Sequence, residues 1–302
     1  MYDLIIIGSG PAGLSAAVYA KRAALNLLVL EKNPMSGGQV LNTYEVDNYL
    51  GLPVINGFDM GMKFREHADH LGVEFREASC LSMEDRGDSK LLRTDDGDLE
   101  ARAVILATGA VHAPLSVPGE ERLSGKGVSY CATCDGAFFR SKTAAVVGGG
   151  DVALEDAIYL SRLCEKVYLI HRRDELRGTM ILQQELKSIS NIEILYSHIV
   201  EEIQGQDAVE GIRIRNLKTD ETASLALDGL FVAVGIRPGT ELVRSLVDCD
   251  ESGYVLAGED CITSMKGLFA AGDVRKKPLR QIVTAVADGA NAVASVSNYL
   301  KS

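Results

Sequence analysis

The stretch Ser129-Tyr-Cys-Ala-Thr-Cys-Asp-Gly-Ala-Phe-Phe-Arg140 places two cysteines, Cys131 and Cys134, three positions apart, with an acid, Asp135, directly after the second. An apolar run follows and predicts a buried strand, after which Gly148-Gly-Gly-Asp-Val-Ala153 predicts a turn that opens a helix. A dithiol beside a dinucleotide-binding turn is the combination that moves two electrons between a nicotinamide cofactor and a disulfide.

The CxxC pair has two alternative interpretations. A structural zinc site takes four ligands, but the sequence has no second CxxC, and the nearest histidines, His112 and His171, are not at ligand spacing. Buried structural thiols have no reason to adopt this spacing beside an acid. We therefore predict a redox pair without a metal, and Asp135 as the acid that protonates a leaving thiolate. The single cysteines are predicted to be inert core residues: Cys80, Cys164, Cys249 and Cys261.

Composition narrows the class of protein. The 302 residues are 46% apolar and 24% charged, as in a soluble globular protein of about two domains. The net charge of −11 argues against nucleic acid or an anionic membrane as the main partner. Residues 1–7 run into Gly8 as a first strand and not as a signal peptide, and no apolar segment approaches the roughly 18 residues of a membrane span. We therefore expect a cytoplasmic protein.

The first unit of the chain is a strand, a glycine turn, a helix to about Ala24 and a second strand that ends at Glu31. The glycines permit a tight turn, a close backbone approach and helix–strand packing, and a pyrophosphate then sits on the helix N-terminus. Glu31 stands where an acid binds a ribose hydroxyl. The cofactor-binding residues predicted here are Gly8, Gly10, Pro11, Ala12, Gly13 and Glu31.

The same order recurs at an offset of 140 residues, from Gly8 to Gly148. Its second strand ends not in an acid but in His171-Arg-Arg-Asp-Glu-Leu-Arg177. Guanidinium groups at this place favour a 2′-phosphate, and hence NADP over NAD. The cofactor-binding residues predicted in this unit are Gly148, Gly150, Asp151, His171, Arg172, Arg173 and Arg177.

The predicted fold is α/β, with two Rossmann-like dinucleotide-binding domains, the second inserted into the first. Residues 1–112 and 242–302 are assigned to an FAD-binding domain, and residues 113–241 to an NADPH-binding domain that carries the CxxC. The flavin is expected because it connects hydride chemistry to thiolate chemistry.

Less regular stretches carry weaker predictions. Residues 32–56 are expected to form a loop, and residues 58–71 a helix with Phe58, Met62 and Leu71 inward and His67 and His70 on a solvated face. Another helix is expected at 176–188.

These motifs resemble the low-molecular-weight (class II) thioredoxin reductases, FAD- and NADPH-dependent pyridine nucleotide-disulfide oxidoreductases, over essentially the whole chain. The Cys-Ala-Thr-Cys-Asp run is highly specific to that family, whereas the glycine motifs alone are not. The residues that carry the resemblance are Gly8-x-Gly10-x-x-Gly13, Gly37-Gly-Gln39, Ala107-Thr-Gly109, Cys131 to Asp135, His171-Arg-Arg173 with Arg177, and Gly272-Asp273 with Arg280-Gln281.

The resemblance implies roles for further residues. Gln39 and Asn48 are expected to line the flavin, Asp273 its ribityl chain, and Arg280 with Gln281 the edge of the ring. The other cofactor-binding residues implied are Gly38, Thr108, Gly109 and Gly272. The family implies non-covalent FAD, a homodimer, and a thioredoxin-like protein as substrate. A hydride passes from NADPH to FAD, then electrons pass to the Cys131–Cys134 disulfide, and the dithiol reduces the partner.

Two departures from the family pattern bear on the electron donor. Val152 stands where relatives usually carry Ser or Thr, and Leu176 replaces a common aromatic residue. The alternatives are a ferredoxin-dependent thioredoxin reductase, a flavin dithiol oxidase and, outside enzymes, a flavin-bound redox sensor. The sequence does not decide which cysteine attacks the partner.

The order of elements also carries a geometric expectation. Cys134 precedes the strand at 143–147 and the Gly148 turn follows it, which places the two at opposite ends of one strand, about 17 Å apart. A rotation of the inserted domain, hinged near residues 108–115 and 235–241, is the hypothesis that brings both to one flavin.

Overall fold

The computed structural model describes residues 1–43 and 46–301. Tyr44 and Glu45, within the loop expected at 32–56, and Ser302 lie outside the described residues. The chain divides into two compact units, one formed by Met1–Val111 with Arg237–Ser302 and the other by His112–Ile236. The chain thus leaves the first unit once, builds the second and returns, crossing back before the Glu241 boundary expected from the sequence. No helix in the described ranges is long and apolar enough to cross a membrane.

The elements alternate between strands and helices through much of the chain. The helices are α1 (Pro11–Arg22), α2 (Gly57–His70), α3 (Ala132–Asp135), α4 (Asp151–Ser161), α5 (Met180–Ser188) and α6 (Ile282–Tyr299), with 3₁₀ helices η1 (Gly38–Asn42) and η2 (Gly136–Phe139). The strands are β1 (Tyr2–Ile7), β2 (Leu27–Glu31), β3 (Glu74–Glu77), β4 (Cys80–Asp85), β5 (Lys90–Thr94), β6 (Gly97–Leu106), β7 (Ala110–His112), β8 (Val128–Ser129), β9 (Thr143–Val147), β10 (Lys166–His171), β11 (Ile192–Tyr196), β12 (His198–Gln204), β13 (Gly211–Asn216), β14 (Thr222–Ala226), β15 (Gly229–Val232), β16 (Ile236–Pro238) and β17 (Leu268–Ala270).

The first unit is built on a sheet in the order β3-β2-β1-β6-β5-β4, with β17 beside β6. Its central strand β1 is apolar without interruption from Leu4 to Ile7, because both faces of the sheet are covered there. Leu4 and Ile6 pack into a core shared with α1 and α6. Ile5 and Ile7 face the other way and pack with residues of the 243–274 segment, such as Val243.

The second unit has a parallel sheet in the order β11-β10-β9-β15-β8 and a separate antiparallel sheet β12-β13-β14. Helix α4 packs on one face of the parallel sheet through Leu154 and Ile158, which join a core around Phe231. The opposite face carries a second core that includes residues of the antiparallel sheet. The α/β class predicted from the sequence is confirmed by these sheets and helices.

Three local predictions are wrong. The segment at 32–56 is not all loop, because η1 lies within it. Phe58 and Met62 are exposed, and Met60 and Ala68 are the large and small apolar residues that α2 buries. The helix expected from Leu176 begins only at Met180, and the N–H groups of Arg177 and Gly178 before it both donate to the Gly149 carbonyl in the second glycine turn.

The expected separation of dithiol and glycine turn within the second unit is also wrong. The CxxC is reached through β8, which was not predicted, and β8 runs parallel to β15 as β9 does. Ser129 and Val146 both pair with Phe231, so they lie at the same level of the sheet. Cys131 follows Ser129 by two residues, and Gly148 follows Val146 by two residues. Both therefore lie at the same edge of the sheet. The dithiol and the glycine turn are therefore not separated along the strand, and their separation no longer requires a rotation of the inserted domain.

Candidate active site

Cys131 and Cys134 form a disulfide, with their Cα atoms 5.3 Å apart. The short helix α3 fits this closure, because the N–H groups of Cys134 and Asp135 both donate to the Cys131 carbonyl, at 3.3 and 3.1 Å. Both cysteines are half-buried. The CxxC pair is thus a redox-competent disulfide, as predicted.

Asp135 directly follows Cys134 of the disulfide in sequence and is largely buried. Its Oδ2 accepts a 2.6 Å hydrogen bond from the Ser129 hydroxyl, while its buried Oδ1 has no partner among the described residues. Burial raises the pKa of Asp135 and the Ser129 hydrogen bond opposes this rise. A carboxyl group with a raised pKa keeps its proton to higher pH, as a proton donor to a thiolate requires.

The first glycine turn lies between β1 and α1 in the first unit. A Cβ at Gly13 would come 1.9 Å from the Gly8 carbonyl oxygen, so a side chain there would separate helix from strand. Gly10 and Gly38 face one another, since a Cβ at Gly38 would come 3.3 Å from the Gly10 Cα. Two glycine segments far apart in sequence therefore form one bare backbone surface at the α1 N-terminus, where an anion is favoured.

Glu31 lies at the end of β2, as the sequence predicts for a ribose-binding acid. Its Oε2 accepts from the Ser9 N–H and hydroxyl, at 2.9 and 2.7 Å, and its Oε1 accepts from the Asn33 N–H and side-chain amide, at 3.0 and 3.1 Å. A carboxylate accepts about four hydrogen bonds. A ribose hydroxyl would therefore have to replace one of these donors.

Some of the residues that the family resemblance assigns to the flavin ring contact one another in the structure. The Asn48 side-chain amide donates to Gln281 Oε1 at 3.1 Å, which joins positions 233 residues apart. The Arg280 guanidinium lies 4.0 Å from the centre of the Tyr254 ring, and its Nε is buried without a partner in the described ranges. Gln39 is exposed, and no contact between it and this pair is seen.

Asp273 and Thr108 lie in two turns of the first unit. Asp273 Oδ1 is buried and has no hydrogen-bond partner within residues 1–43 and 46–301. Burial raises the pKa of Asp273, against the opposing charges of Lys277 and Arg280. Thr108 donates its hydroxyl to the Gly239 carbonyl at 2.6 Å, and Gly109 adopts a positive φ of 69°.

The second glycine turn joins β9 to α4. A Cβ at Gly149 would lie 2.3 Å from the His171 ring, so His171 packs against the turn and supports it. A Cβ at Gly150 would meet nothing within 4 Å, which leaves the backbone at the α4 N-terminus open. Asp151 Oδ1 accepts from the Thr179 N–H at 2.6 Å and so ties the turn to the segment before α5.

Arg172, Arg173 and Arg177 are exposed at the end of β10. Burial is the main cause of a lowered pKa of His171, and the charges of all three arginines lower it further, so they cluster around this ring. Asp174, the acid nearest in sequence, pairs instead with Lys218 at 3.2 Å. In the described part of the chain the three guanidinium groups have no acid partner, and they are available to an anion.

Comparison with known proteins identifies the combination of disulfide and glycine turns. Residues 2–289 match the sequence profile of the family described as pyridine nucleotide-disulphide oxidoreductase. The chain belongs to this family. Thioredoxin reductases of Bacillus subtilis (strain 168) and Listeria innocua are 41% and 42% identical to it over 302 residues, 100% of this chain and 95% and 94% of theirs.

A solved structure points the same way. The thioredoxin reductase from Streptococcus pyogenes MGAS5005 is 45% identical, with a TM-score of 0.95 over 100% of this chain and 98% of that one. Within the pyridine nucleotide-disulphide oxidoreductases the chain therefore falls among the thioredoxin reductases, and the resemblance inferred from its sequence is confirmed. Membership of this family implies a flavin and a pyridine nucleotide as cofactors.

The residues of the first unit fit a flavin dinucleotide. The bare surface at Gly10 and Gly38 suits a pyrophosphate, and the unpartnered Asp273 Oδ1 suits a hydroxyl donor such as those of a ribityl chain. The residues of the second unit fit a pyridine nucleotide. There the open Gly150 backbone and the unpaired arginines suit its phosphates.

Two features of this oxidoreductase were missed from the sequence. Ser129 is the first residue of the redox stretch, and no sequence motif assigns it a role. Asp288 of α6 is 2% exposed and accepts from the Arg275 guanidinium at 2.8 and 2.7 Å, from Lys277 Nζ at 2.8 Å and from the Gly272 N–H at 2.9 Å. The signal for this cluster was present in the sequence only as charges close to the Gly272-Asp273 motif.

The other cysteines separate into two pairs. Cys164 and Cys261 are buried, as predicted, whereas Cys80 and Cys249 are half-buried and pack against the edge of a core in the first unit. Burial raises the pKa of Cys80 and Cys164 to about 11 and that of Cys261 to about 12. A thiol with a pKa near 11 is ionised in about one molecule in a thousand at pH 8.

We therefore expect alkylation to discriminate among the six cysteines. After reduction, iodoacetamide at pH 8 should modify Cys131 or Cys134 at least tenfold faster than Cys164 and Cys261, because the thiolate is the nucleophile. Peptide mass spectrometry measures the rates, and denatured protein is the control in which all sites react. Equal rates at Cys164 and Cys131 in the folded protein would contradict the assignment.

Proposed function

We propose that this protein reduces the disulfide of a thioredoxin-like protein with electrons from NADPH, through bound FAD and the Cys131–Cys134 disulfide. The observation that carries the proposal is the disulfide itself, which lies beside a buried acid and at the same edge of the sheet as a glycine turn flanked by unpaired arginines. The FAD is assigned to residues 1–112 with 242–302, and the NADPH to residues 113–241.

The overall reaction transfers two electrons. A bound flavin supplies the step between hydride transfer and disulfide chemistry. The Cys131–Cys134 S–S bond takes up two electrons and two protons and becomes a dithiol, and Asp135 is the residue that holds a proton for the leaving sulfur. The dithiol then attacks the partner disulfide, returns to the oxidised form and leaves the partner as a dithiol.

The arginines support NADPH as the donor. A 2′-phosphate has the charge and geometry that guanidinium groups bind best. The two departures from the family pattern do not remove this site. Leu176 is buried in the core of the second unit, so its substitution changes packing. Val152 is 52% exposed at the α4 N-terminus and lacks a hydroxyl, while the backbone N–H groups of the turn remain.

An anaerobic titration tests the proposal against its alternatives. NADPH should bleach the flavin, and oxidised thioredoxin should restore its colour. A flavin that only reduced ferredoxin bleaches would indicate the ferredoxin-dependent enzyme, and restoration by oxygen with small thiols would indicate an oxidase. Bleaching without transfer to any disulfide would indicate a redox sensor.

Cofactor choice is expected to depend on the arginines. Replacing Arg172 and Arg177 by Gln should weaken NADPH binding at least tenfold and leave NADH nearly unchanged, because each hydrogen bond to a charged phosphate contributes about 1.5–3 kcal/mol. The Michaelis constants for both cofactors measure the effect. Arg162→Gln, at the C-terminal end of α4, is the matched control. Equal losses for NADPH and NADH would mean that the arginines do not contact the 2′-phosphate.

We also propose a homodimer in the cytoplasm. The homodimer follows from the family resemblance, and the cytoplasm is the compartment in which pyridine nucleotides and thioredoxins are kept reduced. A sedimentation experiment on the flavin-loaded protein measures the first.

A further inference from the structure

Ser129 lies where the sheet of the second unit meets the disulfide. It is the last residue of β8, is 5% exposed, and precedes Cys131 by two positions. Its backbone is fixed by the pairing of β8 with β15, where it stands opposite Phe231. The side chain of Ser129 is thus held at a defined position at the start of the redox segment.

The Ser129 hydroxyl connects the two functional parts of that segment. Its oxygen accepts a hydrogen bond from the Cys131 N–H at 3.1 Å. The hydroxyl donates to Asp135 Oδ2 at 2.6 Å, while the Cys131 carbonyl is farther away, at 3.4 Å. One hydroxyl has one proton, and the shorter contact identifies Asp135 as its acceptor. The backbone of the first cysteine and the acid after the second are therefore joined through one oxygen atom.

This contact also sets the orientation of the carboxyl group. Ser129 is the side chain that hydrogen-bonds Asp135 among the described residues, and the other carboxyl oxygen, Oδ1, is buried and unpartnered. With Oδ2 held, Oδ1 is the atom that remains for a proton. Without the hydroxyl, the Asp135 carboxyl group would have no side-chain hydrogen bond from the described residues.

We propose that Ser129 is a positioning residue for disulfide exchange, which holds Asp135 Oδ2 so that Oδ1 carries the proton for the leaving sulfur. The proposal deepens the proposed function, and rests on Asp135 as its acid. Other titratable groups near the segment are the two cysteines once reduced, Tyr130 within it, whose hydroxyl donates to Glu120 at 2.9 Å, and Asp156 and Tyr159 on α4, which packs against α3. Burial and the neighbouring Glu155 raise the pKa of Asp156 to about 7, so this acid titrates within the pH range of the experiment and must be controlled for.

The step to be measured uses a small dithiol and needs neither flavin turnover nor thioredoxin. A thiolate of dithiothreitol attacks one sulfur of the Cys131–Cys134 disulfide, the S–S bond breaks, and the leaving thiolate takes a proton from Asp135. This attack leaves a mixed disulfide between the reagent and the protein. The second thiol of the reagent then loses its proton and attacks the reagent sulfur of the mixed disulfide, which breaks that bond, closes a cyclic disulfide and releases the second protein sulfur as a thiolate that takes up a proton. The reagent is thereby oxidised by two electrons, and the protein disulfide is reduced to a dithiol. Failure of this test is distinguishable from failure of the proposed function, which would appear in the NADPH and thioredoxin titration.

Ser129→Ala is the decisive variant. We expect reduction by dithiothreitol to be about tenfold slower at pH 6, and the variant-to-wild-type rate ratio to change with pH. The hydroxyl stabilises the ionised carboxylate, so its loss raises the pKa of Asp135 further and moves the transition to higher pH. Dividing the variant rate by the wild-type rate at each pH removes the effect of dithiothreitol ionisation, because the reagent is the same in both reactions. Quenching with an alkylating agent and intact mass spectrometry on the flavin-loaded protein give the rates.

Matched variants separate positioning from general damage. Ser129→Thr keeps the hydroxyl and should keep the wild-type profile. Ser161→Ala removes a 2.7 Å hydroxyl hydrogen bond from the same unit and should leave the ratio near one at every pH, and Asp156→Asn should not abolish the pH dependence of the ratio.

A double-mutant cycle completes the test. In the Asp135→Asn background, Ser129→Ala should have no further pH-dependent effect, because the residue it acts through is gone. A ratio constant at all pH values, the same effect in the Asp135→Asn background, or a Ser129→Thr profile like that of Ser129→Ala would each overturn the proposal. The Thr variant keeps the proposal testable if the Ala variant does not fold.

Discussion

Replacing Cys134 by Ser is expected to reduce thioredoxin turnover at least a thousandfold, while NADPH still bleaches the flavin. A serine hydroxyl cannot form the disulfide that receives electrons, so the path ends before the protein partner. The thiols outside the CxxC cannot substitute for it, because burial raises the pKa of all four, to about 11 for Cys80 and Cys164 and about 12 for Cys261, and raises that of Cys249. Anaerobic stopped-flow absorbance measures flavin reduction, and a coupled thioredoxin assay measures turnover.

The matched control for this variant is Cys80→Ser. It is the same substitution at a half-buried cysteine of the first unit, and its turnover should stay within about twofold of the wild type. Cys131→Ser should also abolish turnover, and trapping of a mixed disulfide by one variant but not the other would identify the attacking cysteine. A Cys134→Ser protein that kept a tenth of its thioredoxin turnover would show that electrons take another route.

Short-range patterns in the sequence predicted most of the chemistry. The spacing of Cys131 and Cys134 was enough to predict a disulfide, because both lie in one short turn and no distant element is needed to join them. The glycine turns were equally local. Gly13 packs against Gly8, five residues away, as the motif requires. Such features are fixed by backbone geometry over a few residues, and this is why they are visible in sequence.

The sequence pattern did not predict that helix α2 packs through its glycines. Apolar periodicity placed Phe58 and Met62 inward on α2, yet the helix approaches η1 through its glycines. A Cβ at Gly57 would fall within 1.8 Å of the Val40 carbonyl oxygen, and one at Gly61 within 2.7 Å of Leu41 Cδ2. This face of α2 is buried because glycines let the helix backbone approach η1 closely. A search for large apolar side chains cannot identify such a face.

Sheet order was also beyond the sequence. The two-residue strand β8 is too short for any alternation to be read, and it determines at which edge of the sheet the disulfide lies. The distance along the chain from Cys134 to Gly148 therefore misled the geometric expectation. Likewise, Asn48 and Gln281 were assigned to one flavin by family resemblance, and their 3.1 Å hydrogen bond is a contact that no local pattern contains.

The Asp288 cluster leads to the other large effect. Burial opposes ionisation of Asp288, but hydrogen bonds from Arg275 and Lys277 outweigh it and hold the pKa of Asp288 below its ordinary value. Asp288→Asn removes the buried carboxylate that pairs with both cations, whose side chains are each 4% exposed, and leaves Arg275 only the exposed Glu259 at 3.4 Å. Leaving buried charges without a partner costs about 3–5 kcal/mol. We expect the free energy of unfolding to fall by that amount at pH 7.

Denaturant unfolding with matched variants measures this loss. Asp69→Asn breaks an exposed 2.8 Å pair with Arg65 and should cost less than about 1 kcal/mol, because solvent screens it. Lys277→Met should cost less than Asp288→Asn, since it leaves the Asp288–Arg275 pair intact.

The depressed pKa of Asp288 determines the sign of the pH effect. The contribution of Asp288 to stability is fully present above the unfolded pKa of about 4 and is lost as pH falls through the lower folded value. The gap between wild type and Asp288→Asn should therefore narrow in acid. Because Asp288 also holds the Gly272 N–H beside Asp273, the variant should purify with less flavin per chain. A variant as stable as Asp69→Asn, or a gap that widens in acid, would contradict this account of the cluster.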